Sequence, residues 1–132
     1  MPAPPPDLAP ALDAFPDVGL AIVYGSVASG TAAPDSDLDV GVMGARPLSA
    51  DARMRIVDVL SNVTGRAVDL VDLRTAHGAL LAEILRTGLR VVERDATLFP
   101  DLLRRHLIDE ADFRPYRDRI LAERRRAWIG GS

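Results

Sequence analysis

Four short apolar runs, at 18–24, 37–43, 66–73 and 89–93, are separated by segments in which apolar residues recur at helical intervals, so the chain is limited to a sheet with helices packed on it. The fold class expected is α/β or α+β. Val18 to Tyr24 is apolar throughout and stops at Gly25, as a buried strand feeding a turn does. Asp37 to Met43 leaves through Gly44, Arg46 and Pro47. Ser49 reads as an N-cap with Asp51 in the first helical turn; Ile56, Val57, Leu60 and Val63 then fall at helical spacing, and Gly65 stands where a C-terminal glycine belongs. After the third strand, Arg66 to Leu73, Thr75 is expected to cap a helix whose stripe of Leu80, Leu81, Ile84 and Leu85 ends at Gly88. Leu89 to Glu93 is the fourth strand. A short helix is expected from Leu8 to Phe15, another from Asp95 to about Glu110, and an amphipathic one from Phe113 to Trp128 with Tyr116, Ile120 and Leu121 on its buried side. Helical crossovers permit parallel pairing, but strand order does not follow from the sequence.

With 132 residues, a single domain over 1–132 is expected, with a flexible proline-rich arm at 1–10 and C-terminal helices over 95–132. The longest apolar stretch is far too short to span a bilayer, and no positively charged segment precedes an apolar core, so no secretory signal is read and a cytoplasmic location is expected. Cysteine is absent, which removes thiolate catalysis and Cys-based zinc sites. All 16 basic residues are arginine, so a Walker-type phosphate loop and Schiff-base chemistry are excluded with the missing lysine. A net charge of −3 argues against a general nucleic-acid-binding surface, and no membrane partner is expected. The run Arg124-Arg125-Arg126 is a local exception, read as a solvated helix face.

Chemistry concentrates at Gly25-Ser26 and, after ten intervening residues, Asp37-Leu38-Asp39. On a strand, Asp37 and Asp39 project from one face while Leu38 and Val40 face a core. Like charges held together are best tolerated around a cation, and Mg²⁺ takes carboxylate oxygens while completing its shell with water and substrate phosphates. Gly25 lets the backbone come close to a ligand, Ser26 adds a hydroxyl, and a helix start at Val27 to Gly30 would turn free N–H groups toward nucleotide phosphates. A third acid must come from Asp69 or Asp72, which alternation puts on opposite faces. Asp69 is favoured as a mid-strand carboxylate that burial would leave in need of a metal or a charge partner, with Asp72 nearer the strand end approaching solvent or capping a turn. His77 and His106 read as surface or capping residues, Asp35 as turn chemistry, and Tyr24 as core or pocket wall. Trp128 reads as cover for apolar surface or as a partner contact.

The stretch from Gly25 through Ser36-Asp37-Leu38-Asp39-Val40, with Val68-Asp69-Leu70-Val71-Asp72-Leu73 after it, resembles the signature of the DNA polymerase β-like nucleotidyltransferase superfamily. Within it the chain is similar to the minimal nucleotidyltransferase (MNT, MntA-like) antitoxins that pair with HEPN-domain RNase toxins. The resemblance implies a mixed sheet flanked by helices, Asp37, Asp39 and Asp69 as catalytic and metal-binding carboxylates, and Gly25 and Ser26 as the triphosphate grip. It further implies Mg²⁺, ATP as co-substrate, and transfer of AMP to a tyrosine of a HEPN toxin, neutralising it. Position 29 is Ser where many relatives carry Arg, which removes a guanidinium from the phosphate side. Alternative functions are a non-catalytic antitoxin that masks its toxin by binding, and nucleotidylation of a small molecule of the aminoglycoside type.

Overall fold

In the computed structural model, which describes residues 4–111, the first apolar run forms β1 (Val18–Tyr24) with every residue buried. It is an inner strand of a four-stranded sheet, antiparallel to β2 (Leu38–Gly44) on one side and to β4 (Leu89–Glu93) on the other. The edge strand β3 (Val68–Asp72) runs parallel to β2, so the sheet is mixed and its order is β3-β2-β1-β4. Parallel neighbours need a crossover, and α3 (Ala50–Thr64) supplies it.

Both faces of the sheet are covered, which is why its inner strands read as continuous apolar runs rather than alternating ones. On one face Val23, Val40, Val42 and Leu70 pack with Ile56 and Leu60 of α3 and with Leu8 and Leu12 of α1 (Leu8–Leu12). On the other, Leu20, Ile22, Tyr24 and Met43 pack with Leu81 and Ile84 of α4 (Gly78–Thr87) and with Leu98 and Leu102 of α5, helical over 98–111. Between β1 and β2 lies the five-residue α2 (Gly25–Ser29).

Local chemistry fixes the ends of these elements. The Ser49 hydroxyl accepts from the Ala52 N–H at 3.1 Å, and Gly65, at φ 69°, donates to Ser61 O to close α3. Arginines act as main-chain clamps, Arg94 and Arg105 each satisfying three carbonyls near element and loop ends. Arg94 reaches Leu12 O, Phe15 O and Val18 O, and Arg105 reaches Leu73 O, Arg74 O and Ala76 O.

Several expectations need correction. Residues 8–10 of the expected arm are helical: Leu8 N–H donates to Pro5 O, and Leu8 and Leu12 are fully buried because the first helix docks on the sheet, though it ends before reaching Phe15. Thr75 does not cap α4. Its hydroxyl donates to Asp72 O within the preceding turn, and His77 takes the N-cap position. Val63, at helical spacing in α3, and Leu80, in the apolar stripe of α4, are each 40% exposed. The expected helix at Phe113 to Trp128 and the arginine run lie outside the described residues.

Candidate active site

Gly25 follows β1 and opens α2 at φ 74°, a left-handed conformation that side chains resist. A second constraint reinforces the first: a Cβ at this position would collide with the Asp39 carboxylate on the neighbouring strand. Glycine therefore lets the main chain turn directly against an acid. The turn runs into α2, whose Ser26 is half-buried at its start, and Thr31 N–H returns to Ser26 O at 3.0 Å as Gly30 reverses the chain. The Ser29 hydroxyl is folded onto this turn, donating to Ser26 O at 3.1 Å and sharing a 2.8 Å hydrogen bond with Thr31. It braces the turn from behind, a role unlike that of a guanidinium reaching outward.

Asp39 is half-buried on β2. The antiparallel register sets it opposite Tyr24, and the parallel register sets it opposite Asp69, so an acid from each of two strands meets at the end of β1. Strand alternation gives these side chains the face that carries α4. Asp37, exposed, lies just before β2 rather than within it. The Asp39 carboxyl is held above the ordinary aspartate range by burial first, then by the negative charges of Asp69, Asp37 and Glu83. Burial, followed by Asp39, Asp69 and Glu83, pushes the Tyr24 phenol up to about 12, so it stays a neutral wall of the site.

Glu83 was not singled out from the sequence. It reaches the acids because α4 packs across β1 and α2, and a solvent-side Glu on an amphipathic helix carries no mark of that docking. The reasoning for the third acid is also corrected: Asp69 is exposed, whereas Asp72 is 5% exposed. Asp72 accepts from the N–H groups of Leu48 and Arg74, each at 2.9 Å, and so pins the end of β3 to the segment leading into α3. His77 is exposed with Nδ1 3.0 Å from Thr75 O, Asp35 is exposed in the loop, and His106 is half-buried on α5.

Among the described residues no three His, Cys, Asp or Glu side chains form a ready-made metal cage. That is compatible with Mg²⁺, which is usually held by one or two carboxylates with water and substrate phosphates completing its shell. The Asp39 carboxyl is raised by burial first and by the neighbouring acids after it, a cation would offset both, and all the donors are hard oxygens, so the residues fit the ion. No helix among the described residues is long and apolar enough to cross a membrane.

Comparison with known proteins places these features in context. The family described as "Polymerase beta, Nucleotidyltransferase" matches residues 7–97. The protein adenylyltransferase MntA of Shewanella oneidensis is 33% identical over 89 residues, covering 66% of this chain; the chain spans 64% of the length of that curated relative. A chain in the crystal structure of a toxin–antitoxin with AMP-PNP superposes with a TM-score of 0.70 at 27% identity, over 87% of this chain and 96% of that one. The structure of a tri-AMPylated Shewanella oneidensis HEPN toxin in complex with an MNT antitoxin matches with a TM-score of 0.60 at 25% identity, over 83% of this chain and 87% of that one.

Proposed function

The chain belongs to the Polymerase beta nucleotidyltransferase family, and from that membership we propose that it is an antitoxin that transfers AMP from ATP to a tyrosine of a partner HEPN toxin. Support for protein as acceptor comes from the adenylyltransferase relative and from the toxin–antitoxin structures sharing this fold. The observation that carries the reading is the register that faces Asp39 with Asp69 beside the glycine turn.

In this reading Gly25 and Ser26 receive the triphosphate, the main chain coming close where no Cβ intervenes. Asp37, Asp39 and Asp69 would hold Mg²⁺, which when bound supplies neutralisation of the acids and stabilisation of the pyrophosphate leaving group. Asp69, exposed on the open edge strand, accepts the proton of the tyrosine hydroxyl as its oxygen attacks the α-phosphorus. The new bond joins that oxygen to phosphorus; the bond from the α-phosphorus to the bridging oxygen breaks, and pyrophosphate leaves with the electron pair. Tyr24, kept neutral and buried, walls the site without competing as an acceptor.

The test is incubation of the chain with Mg²⁺, α-labelled ATP and the product of the gene beside its own. Label on a tyrosine of that product, lost in Asp69→Asn while ATP still binds, is the expected result. Neutralisation of the partner without any label would replace transfer with masking.

A further inference from the structure

We propose that Arg66 is a positioning residue for the metal site, holding the loop that delivers Asp37 beside the strand that delivers Asp69. The inference rests on the reading of Asp37, Asp39 and Asp69 as metal ligands and deepens it.

Asp37 precedes β2, so no ladder hydrogen bond of that strand orients it. Its neighbours are anchored instead. On one side Leu38 N–H donates to Ala67 O at 2.8 Å. On the other, one guanidinium nitrogen of Arg66 donates to both Ala33 O and Ser36 O, at 2.8 and 2.9 Å. Those two carbonyls bracket a turn closed by Ser36 N–H to Ala33 O, at 3.0 Å, and by Ala33 N–H to the Ser36 hydroxyl, at 2.8 Å. The loop carrying Asp37 is therefore a preformed turn fastened at both ends to the adjacent residues Arg66 and Ala67, three and two positions before Asp69.

Arginine suits this task because its planar fork offers several fixed donors and its charge strengthens bonds to neutral carbonyls. A lysine ammonium on a flexible stem would keep the charge but lose the fixed geometry. The local sequence aims the side chain: Gly65 ends α3 in the left-handed conformation, and Arg66 N–H then meets the Thr64 hydroxyl at 3.3 Å before β3 begins. Groups that orient metal ligands from behind typically change metal affinity by about 10–100-fold when removed.

The experiment titrates Mn²⁺ alone, without nucleotide, into the intact chain and measures free Mn²⁺ by electron paramagnetic resonance. Wild type, Arg66→Ala, Arg66→Lys and Asp39→Asn are compared, and metal-free melting is recorded for each. Arg66→Ala is expected to weaken Mn²⁺ binding by about tenfold, with Arg66→Lys between it and wild type. Affinity in Arg66→Ala within about twofold of wild type, even with a lower melting temperature, would make the residue merely structural and overturn the inference. If Arg66→Ala does not fold, Arg66→Lys carries the test, and unchanged affinity in it overturns the inference equally. Equal binding by wild type and Asp39→Asn would remove the metal reading and Arg66 with it; loss in Asp39→Asn but not in the Arg66 variants would remove Arg66 alone.

Discussion

Asp39→Asn should stabilise the metal-free protein while abolishing nucleotidyl transfer. Neighbouring strands lie about 4.8 Å apart, so two facing carboxylates that lean away from each other are separated by roughly 6 Å. Between an effective dielectric of roughly 20 for pairs near a protein surface and roughly 80 for water, their repulsion is about 0.7–3 kcal/mol. Burial, the largest cause of the raised Asp39 carboxyl, and the charges of Asp37 and Glu83 add to it, while the exposure of Asp69 and Asp37 screens it, so about 1 kcal/mol is retained as the expected gain. For a domain of this size that corresponds to a melting temperature higher by roughly 4 °C. The sign follows from proton uptake. Because the folded carboxyl titrates above its ordinary value of 3.8, the native state binds the proton more readily than the unfolded chain, and stability falls as pH rises from 3.8 through the raised value. Above that window the penalty is constant, so the gain in Asp39→Asn should be full at pH 7 and should close on acidification toward 3.8. Added salt should shrink it, and Mg²⁺ should raise the wild-type melting temperature but not that of the variant. Differential scanning calorimetry of both proteins at low salt, with and without Mg²⁺, tests each arm. A variant that melts below wild type at pH 7 without metal would refute the reasoning, since the Asp39 anion would then be net favourable in the fold.

Gly25→Ala forces a side chain into the left-handed region and against Asp39; calorimetry should show a loss of about 1–2 kcal/mol, and transfer of label should fall steeply as the acid is displaced. Asp72→Ala orphans the N–H groups of Leu48 and Arg74, so urea unfolding should report a loss of about 2–3 kcal/mol, with Mn²⁺ affinity unchanged if the Asp is purely structural. Ser49→Ala removes the α3 cap and should cost about 1 kcal/mol in the same measurement, with no effect on transfer at temperatures where the variant is folded.

The elements most legible in the sequence were those decided locally. β1 and β4 have the bounds that their apolar runs and flanking glycines predict, and α3 begins and ends at the Ser49 and Gly65 signals. Less legible was whatever depends on a distant partner. A Leu on α4 can lie in the stripe and still be 40% exposed, as Leu80 is, because helical periodicity gives a face but not the width of the contact. Glu83 is a solvated helical charge by every local criterion, and it becomes part of the electrostatics of Asp39 only once α4 lies across β1.

The two acids of β3 show where sequence reasoning turns on information it lacks. Alternation correctly separates Asp69 and Asp72 onto opposite faces, and the parallel register aligns the first of them with Asp39. Burial, however, is the reverse of what their positions in the apolar run imply. Asp69 is exposed because β3 is an edge strand, and an edge is a property of strand order, which only the assembled sheet defines. Asp72 is buried although it ends its strand, because the segment after β2 crosses over it and brings Leu48 N–H to its carboxylate. A carboxylate met by main-chain donors has its charge accommodated by the fold; one that faces only other acids does not. In the proposed reading, the acids that take part are thus better recognised by the absence, among the described residues, of main-chain donors to them than by depth in the core, and by that criterion Asp39 and Asp69, and not Asp72, are the pair proposed for a cation.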